Sequence, residues 1–234
     1  MSIPRDPIAV SDVRLILPVT DPVASAAAYR ILVGGRAGAT RATAGNGVVE
    51  FGTADDPHVD FAVADLPEAR VQLRRRGLDV VDRDERSADI GCAPIGITSV
   101  TSDDAAARRI DHVLLTHPDA DAAIALYAGR LGMSLRRARA LDDDVTQLFF
   151  RTATVIVEVV AGPAMAERDR FAGIAWLSAD IDADRRNLVD AGLDAGDVRA
   201  GRKPGTRVCT VRDRAFGTPT LLIEQGAAPS GARR

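Results

Sequence analysis

The chain has 234 residues, of which 46% are hydrophobic and 27% charged, and its formal net charge is −3. That profile suits a globular protein with one large domain or two small ones. It gives no general pull towards nucleic acid or an anionic membrane, and no apolar run approaches membrane-spanning length.

The segment Met1 to Pro7 is short and polar, without the apolar stretch of a secretory leader, so a cytoplasmic location is expected. Aromatic residues are only 4% of the chain, which leaves the core to Leu, Val, Ile and Ala. Cys92 and Cys209 are far apart and in no metal spacing, so each reads as a small buried residue and not as half of a disulfide.

The first unit opens with the strand-like run 13–17, then Asp21-Pro22 as a helix start and Ala26 to Tyr29 as helix. Its later strands are poor, because 34–47 is rich in Gly, Ala and Thr, and one strand is expected to be lost or short. The second unit runs from His58 through an apolar strand to Asp65, a helix-capping carboxylate, and a helix ending at Gly77. Arg74, Arg75 and Arg76 close that helix as a solvated basic face near the negative end of its dipole. The polar stretch 101–108 reads as a linker.

The third unit begins with the strand 111–115 and a helix opened by Pro118-Asp119. Ala122, Ala123, Leu126, Tyr127 and Leu131 recur at helical spacing up to Gly132. Strand-like runs follow at 134–140, 145–152 and 154–160. The fourth unit runs from Gly173 through Trp176 to Asp180 and a helix ending at Gly192. A glycine-bounded basic loop, 201–207, then lies between strand-like segments. Residues 226–234 read as a frayed tail.

The registers repeat. Arg14 stands as far from Tyr29 as His112 from Tyr127, and His58 as far from Gly77 as Gly173 from Gly192. The order along the chain is therefore type one, type two, type one, type two, each of β-α-β-β-β kind. Two domains are expected: 1–103, degenerate, and 109–226, each of two units, with 227–234 as tail.

The run His112–Leu115 with Tyr127 and Leu131-Gly132, then 155–159, resembles the glyoxalase/bleomycin-resistance/extradiol-dioxygenase superfamily, the vicinal oxygen chelate fold. Residues 174–177 with Asp180, and 220–224, supply the second module. The resemblance implies an α+β fold of tandem βαβββ modules, paired into half-barrel sheets that enclose a cleft. It implies metal ligands on the first and last strands of each module, where neighbouring strands converge on one divalent ion.

Mapped onto this chain, those positions are Arg14 and Glu50, His58 and Thr98 or Ser99, His112 and Glu158, and Gly173 and Glu224. Gly173 offers no side chain, and Arg14 would repel a cation. If neighbouring modules pair, His112, Glu158 and Glu224 form the expected metal set, with Glu158 and Glu224 as catalytic carboxylates. If modules swap, His58, His112 and Glu158 combine. The expected metal is Fe, Mn, Ni, Zn or Mg.

Trp176 and Phe149 are candidate pocket-lining residues, although on strands such residues are more often core. Arg207 in the basic loop, and Arg14, are candidate substrate contacts. His117, in a loop before Pro118, is expected at the surface. Two functions follow from the resemblance: a metal-dependent lyase, isomerase or dioxygenase, or a metal-free, drug-sequestering binding protein that has no metal cofactor. Either acts on a small molecule, as a monomer or homodimer.

Overall fold

Each unit begins with a strand that runs into an aspartate-capped helix. In the computed structural model, which describes residues 6–34, 37–52, 56–91, 94–102, 108–165 and 167–226, unit one is β1 (Val13–Pro18), α1 (Pro22–Leu32), β2 (Arg41–Ala44) and β3 (Gly47–Gly52). Unit two is β4 (His58–Ala62), α2 (Leu66–Arg75), β5 (Val80–Asp84), β6 (Ser87–Ile90) and β7 (Ile95–Thr98). Unit three is β8 (Ile110–His117), α3 (Ala120–Ile124), β9 (Ser134–Asp142), β10 (Val145–Arg151) and β11 (Ile156–Ala161). Unit four is β12 (Arg170–Ser178), α4 (Ile181–Asp190), β13 (Arg199–Ala200), β14 (Thr206–Val211) and β15 (Thr220–Gln225). Cys92, residues 103–107 of the linker and the tail 227–234 lie outside the described residues.

The capping follows from the sequence. Asp21, Asp65, Asp119 and Asp180 each accept from backbone amides in the first turn of their helix, satisfying donors that have no intrahelical partner. Gly77, Gly132 and Gly192 follow the helical segments of units two, three and four with φ of 77°, 71° and 82°, a conformation that favours glycine. In unit three the regular helix is short, and 125–130 continues it as a π-helical segment. Among the described residues, unit one has one strand fewer than its relatives, as its composition suggested. An isolated bridge, Ala37 to Ala42, stands beside β2 and β3.

The strands form two sheets, in the orders β2-β3-β1-β4-β7-β6-β5 and β13-β14-β15-β12-β8-β11-β10-β9. Neighbouring units pair. β1 is antiparallel to β4 and parallel to β3, and β8 is antiparallel to β12 and parallel to β11. The internal repeat holds at residue level: Arg14 faces Asp60, and His112 faces Ala175.

Alternate residues of each strand point into one continuous core. Leu15, Val49, Val59 and Ile97 come from the first sheet, and Val113, Val157, Leu148 and Leu222 from the second, all with no exposure. Helix α1 lies between the sheets. The Tyr29 ring on α1 meets Phe51 of the first sheet at 5.2 Å and Trp176 of the second at 6.2 Å, and its hydroxyl donates to the Phe216 carbonyl at 3.1 Å.

Trp176 is therefore a fully buried core residue, not the pocket lining that its aromatic character allowed. β12 turns it towards the helices because Ala175, its neighbour, takes the opposite face. The strand alternation leaves each sheet with an open face directed away from the helices.

Candidate functional site

The open face of the second sheet carries a polar row. His112 on β8 holds its Nδ1 2.8 Å from Asp111 Oδ2, and its Nε2 lies 3.5 Å from Glu158 Oε2 on β11. Gln147 on β10 donates to Glu158 Oε1 at 2.5 Å, and Gln225 donates to Asp111 Oδ1 at 2.8 Å. Asp111 and His112 are adjacent in sequence, yet both contribute to this row. The pairing of β8 with β12 skips from His112 to Ile110, so Asp111 sits in a bulge. A bulge re-aims side chains in this way. Around the row stand half-buried Leu114, Phe149, Ile156 and Leu221.

The first sheet answers the same positions with charge. Arg14 reaches Glu50 at 2.7 Å and Asp60 at 3.2 Å. Arg83 reaches Asp60 at 2.8 Å and Asp89 at 2.5 Å. His58 Nε2 lies 3.0 Å from Asp60 and 2.8 Å from Arg83. Asp60 has no exposure at all. Arg83 enters because it sits at an irregularity in β5, between Asp82 and Asp84. Gly96 makes room, since a Cβ there would stand 2.4 Å from Asp60 Oδ1.

Two guanidiniums thus provide the positive charge that these carboxylates require. Beside them a cavity of about 320 Å³ is lined by charged residues including Arg41, Asp84, Glu85 and Arg86.

Burial alone would raise the Asp60 carboxyl, but hydrogen bonds from His58 and Arg83, with the Arg83 charge, hold it below its ordinary value of 3.8. Asp184 is likewise held low, by Arg108 and Ser178 against burial. A carboxyl whose folded pKa is depressed adds stability above its unfolded pKa and loses it as pH falls through the folded value. Thermal melts should therefore fall off below about pH 4. An Asp60→Asn variant should show a shallower acid slope; an unchanged slope would discount the carboxylate's part.

The expected site residues divide between the two sheets. His112 and Glu158 are brought together, and Phe149 shares their face, opposite Glu158. His58 is on the other sheet, tied to Asp60 and Arg83, so the swapped set of His58, His112 and Glu158 does not assemble. Arg14 is engaged by two carboxylates.

Glu224 pairs with Ser178, on the helix-facing side. Its Oε2 accepts from the Ile181 amide at 2.9 Å, at the start of α4, and its Oε1 lies 3.3 Å from Arg207. It is a helix-capping group, and the expected ligand role at the His112 site is corrected accordingly. Arg207 forks onto Asp182 at 2.8 and 2.9 Å, so the loop before it is a solvated hairpin, with no hold on the open face.

Gly173 faces Leu114, two pairs away from His112. A Cβ on it would stand 2.8 Å from the Pro219 carbonyl oxygen, so glycine is kept there by backbone packing, and a histidine would not fit without a shift. Thr98 is buried and bonded to the Arg86 carbonyl. His117 is buried, not at the surface: it ends β8, accepts from the Asp119 amide and lies 3.2 Å from Asp169. Cys209 is buried and free, as expected. Sequence reasoning missed Asp60, Arg83, Asp111 and Gln147. Asp60, lying in an apolar strand like Glu158, carried the one signal available.

A divalent ion needs three or more protein donors around it. At the second sheet His112 is opposed by Ala175, and Glu158 by Leu114 and Phe149, none of which brings a side-chain donor atom. Among the described residues no three His, Cys, Asp or Glu side chains are placed to hold a metal ion. The donor set present does not fit a resident divalent metal.

Residues 109–220 match the family model of the Glyoxalase/Bleomycin resistance protein/Dioxygenase superfamily. The second half of the chain is thus similar to this superfamily. Along the whole chain the fold is that of a variant of 4-hydroxymandelate synthase from Streptomyces coelicolor. The alignment covers 97% of this chain and 95% of that one, with a TM-score of 0.65 and 12% identity. That identity speaks for the fold alone.

Methylmalonyl-CoA epimerase from Mycobacterium tuberculosis aligns at 23% identity over 51% of this chain and 88% of its own, with a TM-score of 0.42, too low to carry an argument. A comparison with curated proteins finds no match. The chain thus folds as two mixed sheets, and no helix among its described residues is long and apolar enough to cross a membrane.

Proposed function

We propose that the chain is a small-molecule binding protein of the glyoxalase-like superfamily that uses the open face of its second sheet and needs no resident metal. The observation that carries this reading is the pairing of His112 with Ala175. Where the first sheet sets Asp60 against Arg14, the second leaves an imidazole facing a methyl group, with apolar neighbours in place of a ligand set.

Asp111 at Nδ1 fixes the ring, and Nε2 is left towards Glu158 and the face. So oriented, His112 can accept a hydrogen bond or a proton from a bound molecule and return it. Phe149, Leu114 and Leu221 supply apolar contact, the usual composition of a small-molecule site.

Metal analysis of protein purified without chelator tests the reading first. It should show substoichiometric metal, and ligand binding in a small-molecule screen should survive chelator treatment. Stoichiometric Fe, Mn, Ni or Zn would overturn it. His112→Ala should weaken a bound ligand by about tenfold, the worth of one good hydrogen bond, with the fold kept.

A further expectation concerns Ala175→Asp, which copies the first sheet's arrangement beside His112 and Glu158. It should create measurable Ni²⁺ or Mn²⁺ binding that the parent lacks, read by calorimetric titration. Strong binding by the parent itself would count against the metal-free reading.

A further inference from the structure

The two halves meet around a cavity of about 340 Å³, lined by Pro57, His58 and Pro94 of the first half and by residues 168–171 of the second. Its size lies at the small end of the range for small-molecule sites, about 300–1,000 Å³. Neither His112 nor Glu158 lines it, so it is separate from the open face of the second sheet. One titratable side chain from each half borders it, and each is anchored from behind.

His58 is anchored by Asp60. Its Nε2 lies 3.0 Å from Asp60 Oδ1 and 2.8 Å from Arg83 Nη2. A terminal guanidinium nitrogen carries two hydrogens, and those of Arg83 Nη2 go to Asp60 Oδ1 at 2.8 Å and Asp89 Oδ1 at 2.5 Å. None is left for the imidazole, so His58 Nε2 bears a hydrogen and donates it to Asp60. Nδ1 is then the acceptor of the neutral ring, and it has no partner among the described residues.

Asp169 is anchored by His117. His117 Nδ1 accepts from the Asp119 amide at 2.9 Å, so its Nε2 bears the ring hydrogen and faces Asp169 Oδ1 at 3.2 Å. Burial outweighs His117 and pushes the Asp169 carboxyl above its ordinary value of 3.8. The Asp169 side chain is only 14% exposed, and its Oδ2 has no partner among the described residues. Arg168, also in the lining, is met by Asp56 at 3.1 Å, and Arg170 is exposed to water. Phe171, itself buried, and the two prolines form the apolar wall.

Each half therefore brings to the cavity a fixed acceptor that lacks a donor, and a half-buried carboxylate without a cation is costly. We infer that this cavity is a second small-molecule site and takes a primary ammonium on a short apolar chain, with its N–H groups on His58 Nδ1 and Asp169 and its chain on Phe171, Pro57 and Pro94. An ammonium has three donors and no acceptor, which matches two acceptors in want of donors. Its bond to a carboxylate is charge-assisted, about twice as strong as a neutral one.

The test titrates the full chain with isoamylamine, isoamyl alcohol, isovalerate and the quaternary trimethylammonium analogue of the amine. The amine should bind at least tenfold more tightly than the alcohol, which lacks the charge, and than the quaternary compound, which lacks the N–H groups. Asp169→Asn keeps an acceptor for His117 and should bring the amine down to the level of the alcohol, with a melting curve as the check on its fold. A second readout needs no variant. The chain has three histidines, so nitrogen-resolved NMR of the imidazoles can follow each one. His58 should show the Nε2-protonated form in the free protein, and its Nδ1 signal should shift with the amine while the His112 signals stay in place.

Equal affinity for amine and alcohol, tighter binding of isovalerate, or a His58 ring that does not respond would overturn the inference, as would no binding by any of the four. A response at His112 alone would place the amine on the open face, which overturns this second site and leaves the small-molecule reading of that face standing.

Discussion

Asp60→Asn is expected to destabilise the protein by about 3–5 kcal/mol, the cost of removing one partner from a buried charge cluster. Asp60 is fully buried and is the carboxylate common to Arg14, Arg83 and His58. Asparagine keeps the shape but removes the charge and turns an amide N–H towards donors. Two guanidiniums would then share Glu50 and Asp89, whose side chains are 28% and 37% exposed.

For a chain of this length each kcal/mol lowers the melting temperature by about 2–4 °C, so a drop on the order of 10 °C is expected. Glu50→Gln, at the better-solvated rim, should cost under about 1 kcal/mol. The contrast separates the buried centre from the rim. If Asp60→Asn and Glu50→Gln melt alike, the cluster is not organised around Asp60. Combining Asp60→Asn with Arg83→Met should recover part of the loss, because the uncompensated charge is then removed.

The repeat was legible because it rests on local rules. An aspartate before a helix and a glycine after it mark each unit, and the equal spacings from Arg14 to Tyr29 and from His112 to Tyr127 correspond to equivalent places in the two sheets. The pairing of His112 with Glu158 was legible too, since both are polar residues inside apolar strands.

What failed was the transfer of ligand positions to the second and fourth units. His58 and Gly173 are equivalent to each other, but the residues facing Arg14 and His112 are Asp60 and Ala175, two places further on. Strand register is a tertiary property, and nothing in a single strand fixes it. Arg83 and Asp111 were invisible for a related reason, since both reach their partners through bulges that no periodicity announces. Glu224 shares the alternation of a site residue, yet the nearby start of α4 captures it.

Asn46→Ala should cost about 3 kcal/mol or more, through the junction between the halves. Asn46 sits in the tight turn between β2 and β3 with no exposure. Its amide nitrogen donates to the Ile110 carbonyl at 2.8 Å and the Thr154 carbonyl at 3.0 Å, and its oxygen accepts from the Ile110 amide at 2.8 Å. One side chain therefore satisfies three backbone groups of the other half, at the start of β8 and just before β11.

On the β11 side no strand lies beside Ile110, because β11 begins its pairing with β8 only at Ile156 and His112. Each buried backbone group left without a partner costs about 1–3 kcal/mol, and Gly47 beside it has its Cβ position 3.2 Å from Ile110 Cδ1, so the turn cannot easily repack. Asn46→Asp is the sharper variant: it keeps the acceptor for Ile110 N–H but sets a carboxylate against two carbonyl oxygens, and should be at least as damaging as alanine. Limited proteolysis within 101–108 should speed up in both variants if the junction loosens before the sheets melt. Melting curves of Asn46→Ala within 1 °C of the parent would show that water replaces all three bonds and that the halves are held by their shared core alone.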